Sequence, residues 1–303
     1  MTSGSNTHEW IGIKYSVASP GVAKMELPSK FLEELILQIG PYCEVGRSTL
    51  RDAERMVGRA CRVSQVVPTA RPFVSALWAA LTGTRKDAQS GANKTRGQVI
   101  ATRRFITAAR WMRALLRGED SALLPLQRLV RPRGPAPASS SAWAIQFDAS
   151  TTGGGAVLRC NKVVTEYFEV KWEATTAVWL GVETHNSKFQ TFWEFLTLVL
   201  ALCVWGDQFV QEAVALLGDN TGALQDALHL KGRGILAAVA RELSWRKARY
   251  GWEVEVGHVP GELNTVPDAL SRLHEKVPPK FPKSLRGCLR REPPDLDNCW
   301  KVR

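Results

Sequence analysis

The rhythm of apolar and polar positions changes once, sharply, along the chain. Up to about residue 130, apolar side chains recur mostly at helical spacing, over 31–39, 48–64, 72–82 and 98–117. A single short strand-like piece at 9–15 precedes them. The first helix is expected to stop at Gly40-Pro41, since proline cannot donate to the helical ladder. In 98–117, Arg103, Arg110, Arg113 and Arg117 fall near one face. Phe105, Met112, Leu115 and Leu116 lie mostly on another, and Gly118 follows as a C-terminal cap. Beyond 142 the pattern turns to alternation. Residues 143–148, 153–158 and 162–171 read as strands, and 187–205 as a helix opened by a Ser187-x-x-Gln190 capping box. A buried strand at 213–218, helices at 221–229 and 233–249, a strand at 252–256 and a helix at 266–274 complete the pattern. The order β-β-β-α-β-α-α-β-α predicts a mixed α/β unit, preceded by a smaller, mainly helical one.

Composition sets the boundaries. The stretch 131–141, RPRGPAPASSS, can bury almost nothing and reads as a linker between a unit at 1–130 and one at 142–275. From Lys276 to the end the chain is rich in proline and lysine, a tail expected to be disordered. The 303 residues are 45% apolar and 23% charged, ordinary for a soluble protein with a real core. The longest apolar run, 195–205, is about half a bilayer span, so no membrane is expected. The polar start carries no signal-peptide core, and the six cysteines form no Cys-x-x-Cys pair. Reduced thiols in an intracellular protein are the expectation.

Charge is divided unevenly. Residues 1–141 hold 21 Lys+Arg against 10 Asp+Glu, residues 142–275 hold 11 against 16, and residues 276–303 hold 8 against 3. Basic surfaces usually meet polyanions. The arginine face of 98–117 is therefore either a phosphate-contact surface or an ordinary solvated face. An acidic unit within such a chain points to carboxylates with work to do, such as holding metal ions.

Four carboxylates stand out. Asp148 and Asp219 end apolar strands, Glu194 lies on a helix that is apolar almost all round, and Asp268 opens the last helix. Each has a plainer role available. The two strand-end aspartates suit turns, Thr265-x-x-Asp268 has capping-box spacing, and Glu194 can pair with a buried arginine. Together, four oxygen donors on two strand ends and two helices suit a paired Mg²⁺ site.

The motifs FDAS (147–150), WEFLTL (193–198), GDNTGAL (218–224) and VGHVPGELNTVPDALSRL (256–273) resemble those of ribonuclease H domains, above all the domains fused behind retroelement reverse transcriptases of the LTR or tyrosine-recombinase type. The resemblance spans 143–275 in the family's order. Its most specific part is the His258-x5-Asn264-x3-Asp268 spacing. It implies that Asp148, Glu194, Asp219 and Asp268 bind two Mg²⁺ ions, with Mn²⁺ a possible substitute. It implies that His258, on a mobile loop, helps product leave or shuttles protons. Asn220 and Asn264 match positions that contact the hybrid or order the site. The implied activity is metal-dependent cleavage of the RNA strand of RNA–DNA hybrids. The alternative is the same fold used, inactive, for nucleic-acid binding or polymerase assembly. A further rival is another nuclease or integrase of the fold superfamily.

Two departures accompany this resemblance: no basic handle helix between the two middle helices, and a long stretch at 172–186 ahead of the first long helix. In the first unit, EWIGIKYS (9–16) with ELPSKFLEEL (26–35), and then 60–83, resemble the palm-to-thumb and following helical segments of retroelement polymerases. No Tyr-x-Asp-Asp occurs, so the chain alone is not expected to synthesise DNA. The missing polymerase portion becomes an expected partner, beside the RNA–DNA hybrid.

Overall fold

The computed structural model describes residues 7–44, 48–89, 99–100, 103–118, 126–130, 141–232 and 234–295. The chain divides into two compact units, Met1–Ala136 and Pro137–Arg303. Apart from Ser141, the expected linker lies outside the described residues.

In the first unit, strands β1 (Thr7–Trp10), β2 (Ile13–Ser19) and β3 (Val22–Glu26) form an antiparallel meander. The strand-like piece at 9–15 is thus two strands. Ile11 and Gly12 both take positive φ, 48° and 68°, and close a two-residue hairpin with Trp10 opposite Ile13. Apolar alternation runs straight through such a turn, which is why the sequence reads as one strand.

Helix α1 (Ser29–Glu44) follows. It does not stop at Gly40-Pro41. Tyr42 and Cys43 are buried beyond them, and the carbonyl that Pro41 leaves without an amide partner is that of Leu37, an exposed residue that water can reach. The two-residue strand β4 (Ser48–Thr49) leads into α2 (Leu50–Val66), whose first turn is capped by the Thr49 hydroxyl accepting from the Asp52 amide. Helix α3 (Arg71–Gln89), strand β5 (Val99–Ile100), helix α4 (Arg103–Arg117) and strand β6 (Gln127–Val130) complete the unit. Strand β6 joins β3, giving the sheet order β1-β2-β3-β6. Residues 99–100, expected to open the fourth helix, pair instead with β4. Leu35, Ile39, Met56, Val63, Phe73, Leu77, Phe105 and Met112 are fully buried and make the helical core.

The second unit is mixed α/β, as the pattern predicts. Strands β7 (Trp143–Ala149), β8 (Gly153–Cys160) and β9 (Val163–Lys171) form an antiparallel meander. Helix α5 (Ala174–Leu180), absent from the expected order, occupies the long stretch before helix α6 (Gln190–Trp205). Strand β10 (Ala213–Gly218), helices α7 (Thr221–His229) and α8 (Leu236–Tyr250), strand β11 (Glu253–His258) and helix α9 (Thr265–Ser271) follow. The sheet order is β11-β10-β7-β8-β9-β12, with β10 parallel to both β7 and β11.

The sixth strand, β12 (Leu289–Arg290), corrects the expectation of a disordered tail. It pairs parallel to β9, and Leu285 ahead of it is buried. Proline-rich composition hides a few apolar and arginine anchors that find partners only on the folded sheet.

Helix α6 lies against one sheet face and α9 against the other, which the glycines of β8 make possible. A Cβ on Gly154 would meet the Thr197 hydroxyl of α6 at 2.4 Å, and one on Gly155 would meet Leu270 of α9 at 2.3 Å. Ser187–Phe209 is long and apolar enough to cross a bilayer, but 72% of its most apolar window is buried inside the unit. It is the core helix, packed among Phe147, Leu158, Phe168, Leu216 and Trp252.

Candidate metal centre

Alternation along β7 sends Ile145, Phe147 and Ala149 into the main core and leaves Gln146 and Asp148 facing α9. Asp148 lies opposite Gly155, whose missing side chain lets α9 come close. The Ser271 hydroxyl donates to Asp148 Oδ2 at 3.3 Å. Asp219 follows directly on β10, and Glu194 projects from α6. Ligand-type oxygens of Asp148, Glu194 and Asp219 all lie within 4.8 Å of one another.

Glu194 is held on one side only. Its Oε1 accepts from Gln190 Nε2 and from Asn220 Nδ2, each at 3.2 Å. Glu194 Oε2 and Asp219 Oδ1 are buried with no hydrogen-bond partner. Buried carboxylate oxygens without donors are costly, and bringing a cation to them removes that cost. A cleft of about 320 Å³ opens on Glu194, Asp219, Asn220 and Thr221.

The electrostatics agree. Burial, then Glu194, Asp219 and Asp268, push the Asp148 carboxyl up to about 8. Burial pushes Glu194 up to about 7, with Asp219 adding to the rise, against the hydrogen bonds from Gln190 and Asn220. Three hard oxygen donors that repel one another can hold a metal ion.

Two expectations about this region change in detail. Gln190 does not cap α6: its amide donates to Ala149 O and Glu194, tying β7 to the carboxylate. The cap ahead of it is Asn186, accepting from the Lys188 amide. Glu194 also has no arginine partner among the described residues, so its pairing with a buried arginine is not what the structure shows.

The other sequence-selected residues divide. Asp268 lies in the first turn of α9, near enough to raise the Asp148 carboxyl, but outside the cluster of three. Its Oδ1 accepts from Arg272 Nε at 2.7 Å. His258 is exposed at the end of β11, opposite Gly218 and so one residue from Asp219. The Val259 amide donates to Gly218 O, and Gly261 brings the loop close against Asp219 Oδ2. Asn264 is fully buried, donating to Phe147 O and accepting from Gln146 Nε2. These bonds order the loop. Asn220 is the cap of α7, accepting from the Ala223 amide while steadying Glu194. Gln146, missed from sequence, links Arg159 to Asn264. A polar residue at an inward strand position was its signal.

In the first unit the arginine face is partly used internally. Arg110 donates through Nε and Nη2 to Cys43 O, at 3.3 and 3.2 Å, capping the end of α1. Arg113 lies 3.6 Å from Glu44. Arg103, Arg110 and Arg117 are exposed. Arg110 and Arg113 would have to exchange these partners to reach a phosphate. Replacing Arg103 and Arg117 should flatten the log–log salt dependence of hybrid binding by up to about 2 units, at roughly 0.9 per contact. Replacing Arg110 should chiefly lower the stability of the unit, by about 1 kcal/mol. Filter binding across a salt series, with urea unfolding, separates the two effects.

No protein-family model and no curated protein matches the chain. Among solved structures it aligns with a foamy viral protease-reverse transcriptase in complex with an RNA/DNA hybrid, at 13% identity and TM-score 0.29, over 91% of this chain and 32% of that one. A foamy viral protease-reverse transcriptase dRH in complex with double-stranded DNA aligns at 12% identity and TM-score 0.26, over 84% and 38%. The chain spans about a third of the length of these proteins. Overlaps this low establish neither shared fold nor shared activity.

Proposed function

We propose that the second unit is a ribonuclease H-type endonuclease that cuts the RNA strand of RNA–DNA hybrids, and that the chain belongs to the C-terminal part of a retroelement reverse transcriptase. The observation that carries this is the convergence of Asp148, Glu194 and Asp219, from two strand ends and the core helix, with two carboxylate oxygens left bare. The His258-x5-Asn264-x3-Asp268 segment starts beside the same cluster and supports it.

Bound at these carboxylates, Mg²⁺ supplies an activated water and charge stabilisation for the leaving 3′-oxygen. Asp148 and Asp219 would hold it from the strand ends, and Glu194 through the oxygen that Gln190 and Asn220 leave bare. Asp268 would join by exchanging its Arg272 partner for the cation. The His258 imidazole would give a proton to the departing oxygen. Asn264 fixes the loop between His258 and Asp268 against β7. Arg103 and Arg117 would grip hybrid phosphates.

The second reading, an inactive binding or assembly module, is favoured by the engagement of Asp268 with Arg272. Cleavage of a labelled hybrid with Mg²⁺ against EDTA decides between them. The purified chain should cut the RNA strand only with Mg²⁺, and leave duplex DNA intact. His258→Ala should slow turnover roughly 10- to 10³-fold, the lower range of general acid–base effects, with Mg²⁺ affinity unchanged. No cleavage by the wild type would favour the binding module, and equal cutting of duplex DNA an integrase-like nuclease.

A further inference from the structure

We propose that the C-terminal tail is a clamp that holds α9 at the acidic cleft, with Leu285 its positioning residue; this rests on the nuclease reading above. Helix α9 has seven residues, too few to be stable alone. One side of it rests on Gly153 and Gly155 of β8. On another side its Val266 and Leu270 share an apolar cluster with the tail. Leu270 and Leu285, both buried, form a cluster with Val157 and Tyr167, edged by Val266, Leu273 and Cys288. This cluster is separate from the main core, so without Leu285 the α9 residues Val266 and Leu270 and the following Leu273 lose part of their cover.

The tail is itself pinned at its far end. Arg291 grips Glu166 through Nε and Nη2, at 2.7 and 3.1 Å, and the same carboxylate accepts from the core indole of Trp205 at 2.8 Å. Arg290 grips Glu169 through Nε and Nη2, at 2.9 and 2.7 Å. The Arg291 amide donates to Tyr167 O. What α9 carries is the site's flank: Asp268, and Ser271, whose hydroxyl reaches Asp148. Its backbone is fixed by the Ser150 hydroxyl on Ser271 O. The tail thus bears on the cleft without touching it.

The test compares full-length wild type with Leu285→Ala, Leu285→Met and the milder Arg291→Gln. It uses amide hydrogen exchange and hybrid-cleavage kinetics below the melting range. In Leu285→Ala, exchange at the amides of 265–271 should rise about tenfold or more while β7 and α6 stay protected. Its kcat should fall about tenfold with KM unchanged, as for an interaction felt mainly in the transition state. Leu285→Met should restore both, and Arg291→Gln should shift both in the same sense if Leu285→Ala does not fold. Unchanged exchange in α9, or an equal rise in β7, α6 and α9, overturns the clamp. So does looser α9 with normal kcat. A wild type that cuts no hybrid overturns the nuclease reading instead, and the exchange pattern still decides whether the tail holds α9.

Discussion

Asp148→Asn should lower hybrid cleavage by several orders of magnitude, if the proposed nuclease reading holds, while raising the stability of the metal-free protein. Both effects come from one carboxylate. Burial and three neighbouring carboxylates hold its folded-state value at about 8, against 3.8 when unfolded. Below 3.8 it is protonated in both states. As pH rises from there to about 8 the unfolded chain releases the proton and the folded chain keeps it, so stability falls across that window. Asparagine has no proton to lose. Its advantage in thermal melts, measured with EDTA present, should therefore grow with pH and level off above about 8. Mg²⁺ should reverse the order, stabilising wild type and leaving the variant unmoved. Near-normal cleavage by the variant, or a stability gain that shrinks with pH, would remove Asp148 from the centre.

Gly155→Val should unfold more easily by roughly 3 kcal/mol, the upper end of ordinary overpacking costs. The position has no spare room. A Cβ there would sit 2.3 Å from Leu270 Cβ and 2.9 Å from the Ser271 amide nitrogen, and backbone cannot swing aside as a side-chain tip can. The branched side chain must push α9 off β8, taking Asp268 and the Ser271 hydroxyl away from Asp148. Activity should fall further than the loss of folded protein explains. Gly58→Ala, inside α2 with nothing within 4 Å of the new Cβ, is the control. It should be neutral or stabilising by up to about 1 kcal/mol. Urea titrations of the three proteins compare the costs directly. A Gly155→Val protein as stable as the control would show that α9 packs elsewhere.

Much of the second unit could be read from spacing because its elements keep one period each. Strand β10 and helix α7 fall where the pattern places them, since an apolar run or a 3.6-residue stripe ends at a polar residue in both cases. Helix α5 did not show, because Ala174–Leu180 is too short to display a stripe. The turn at Ile11-Gly12 and the continuation of α1 through Pro41 were hidden for a different reason. Both depend on backbone geometry and on burial of residues further along, which local patterns do not contain.

Among the site residues, the chain alone named the carboxylates, because aspartates ending apolar strands and a glutamate on an apolar helix are chemically conspicuous. Which of them meet was settled by the fold. Asp148, Glu194 and Asp219 converge since β7 and β10 are neighbours and α6 crosses them. Asp268 turns to Arg272, one helical turn away, where an ion pair is available. The same holds for charge. Sequence shows that arginines share a face of α4, but only the approach of α1 makes Arg110 a cap rather than a free cation. The sequence by itself determined element types, the basic and acidic division and the candidate donors, since these follow from residue chemistry and near-neighbour periodicity. Tertiary structure decided which donors converge, that Arg110 finds a partner in α1 and that the tail docks on β9. Those outcomes depend on contacts between residues as many as 125 positions apart, which cost chain entropy to form and exist only once the sheet has assembled.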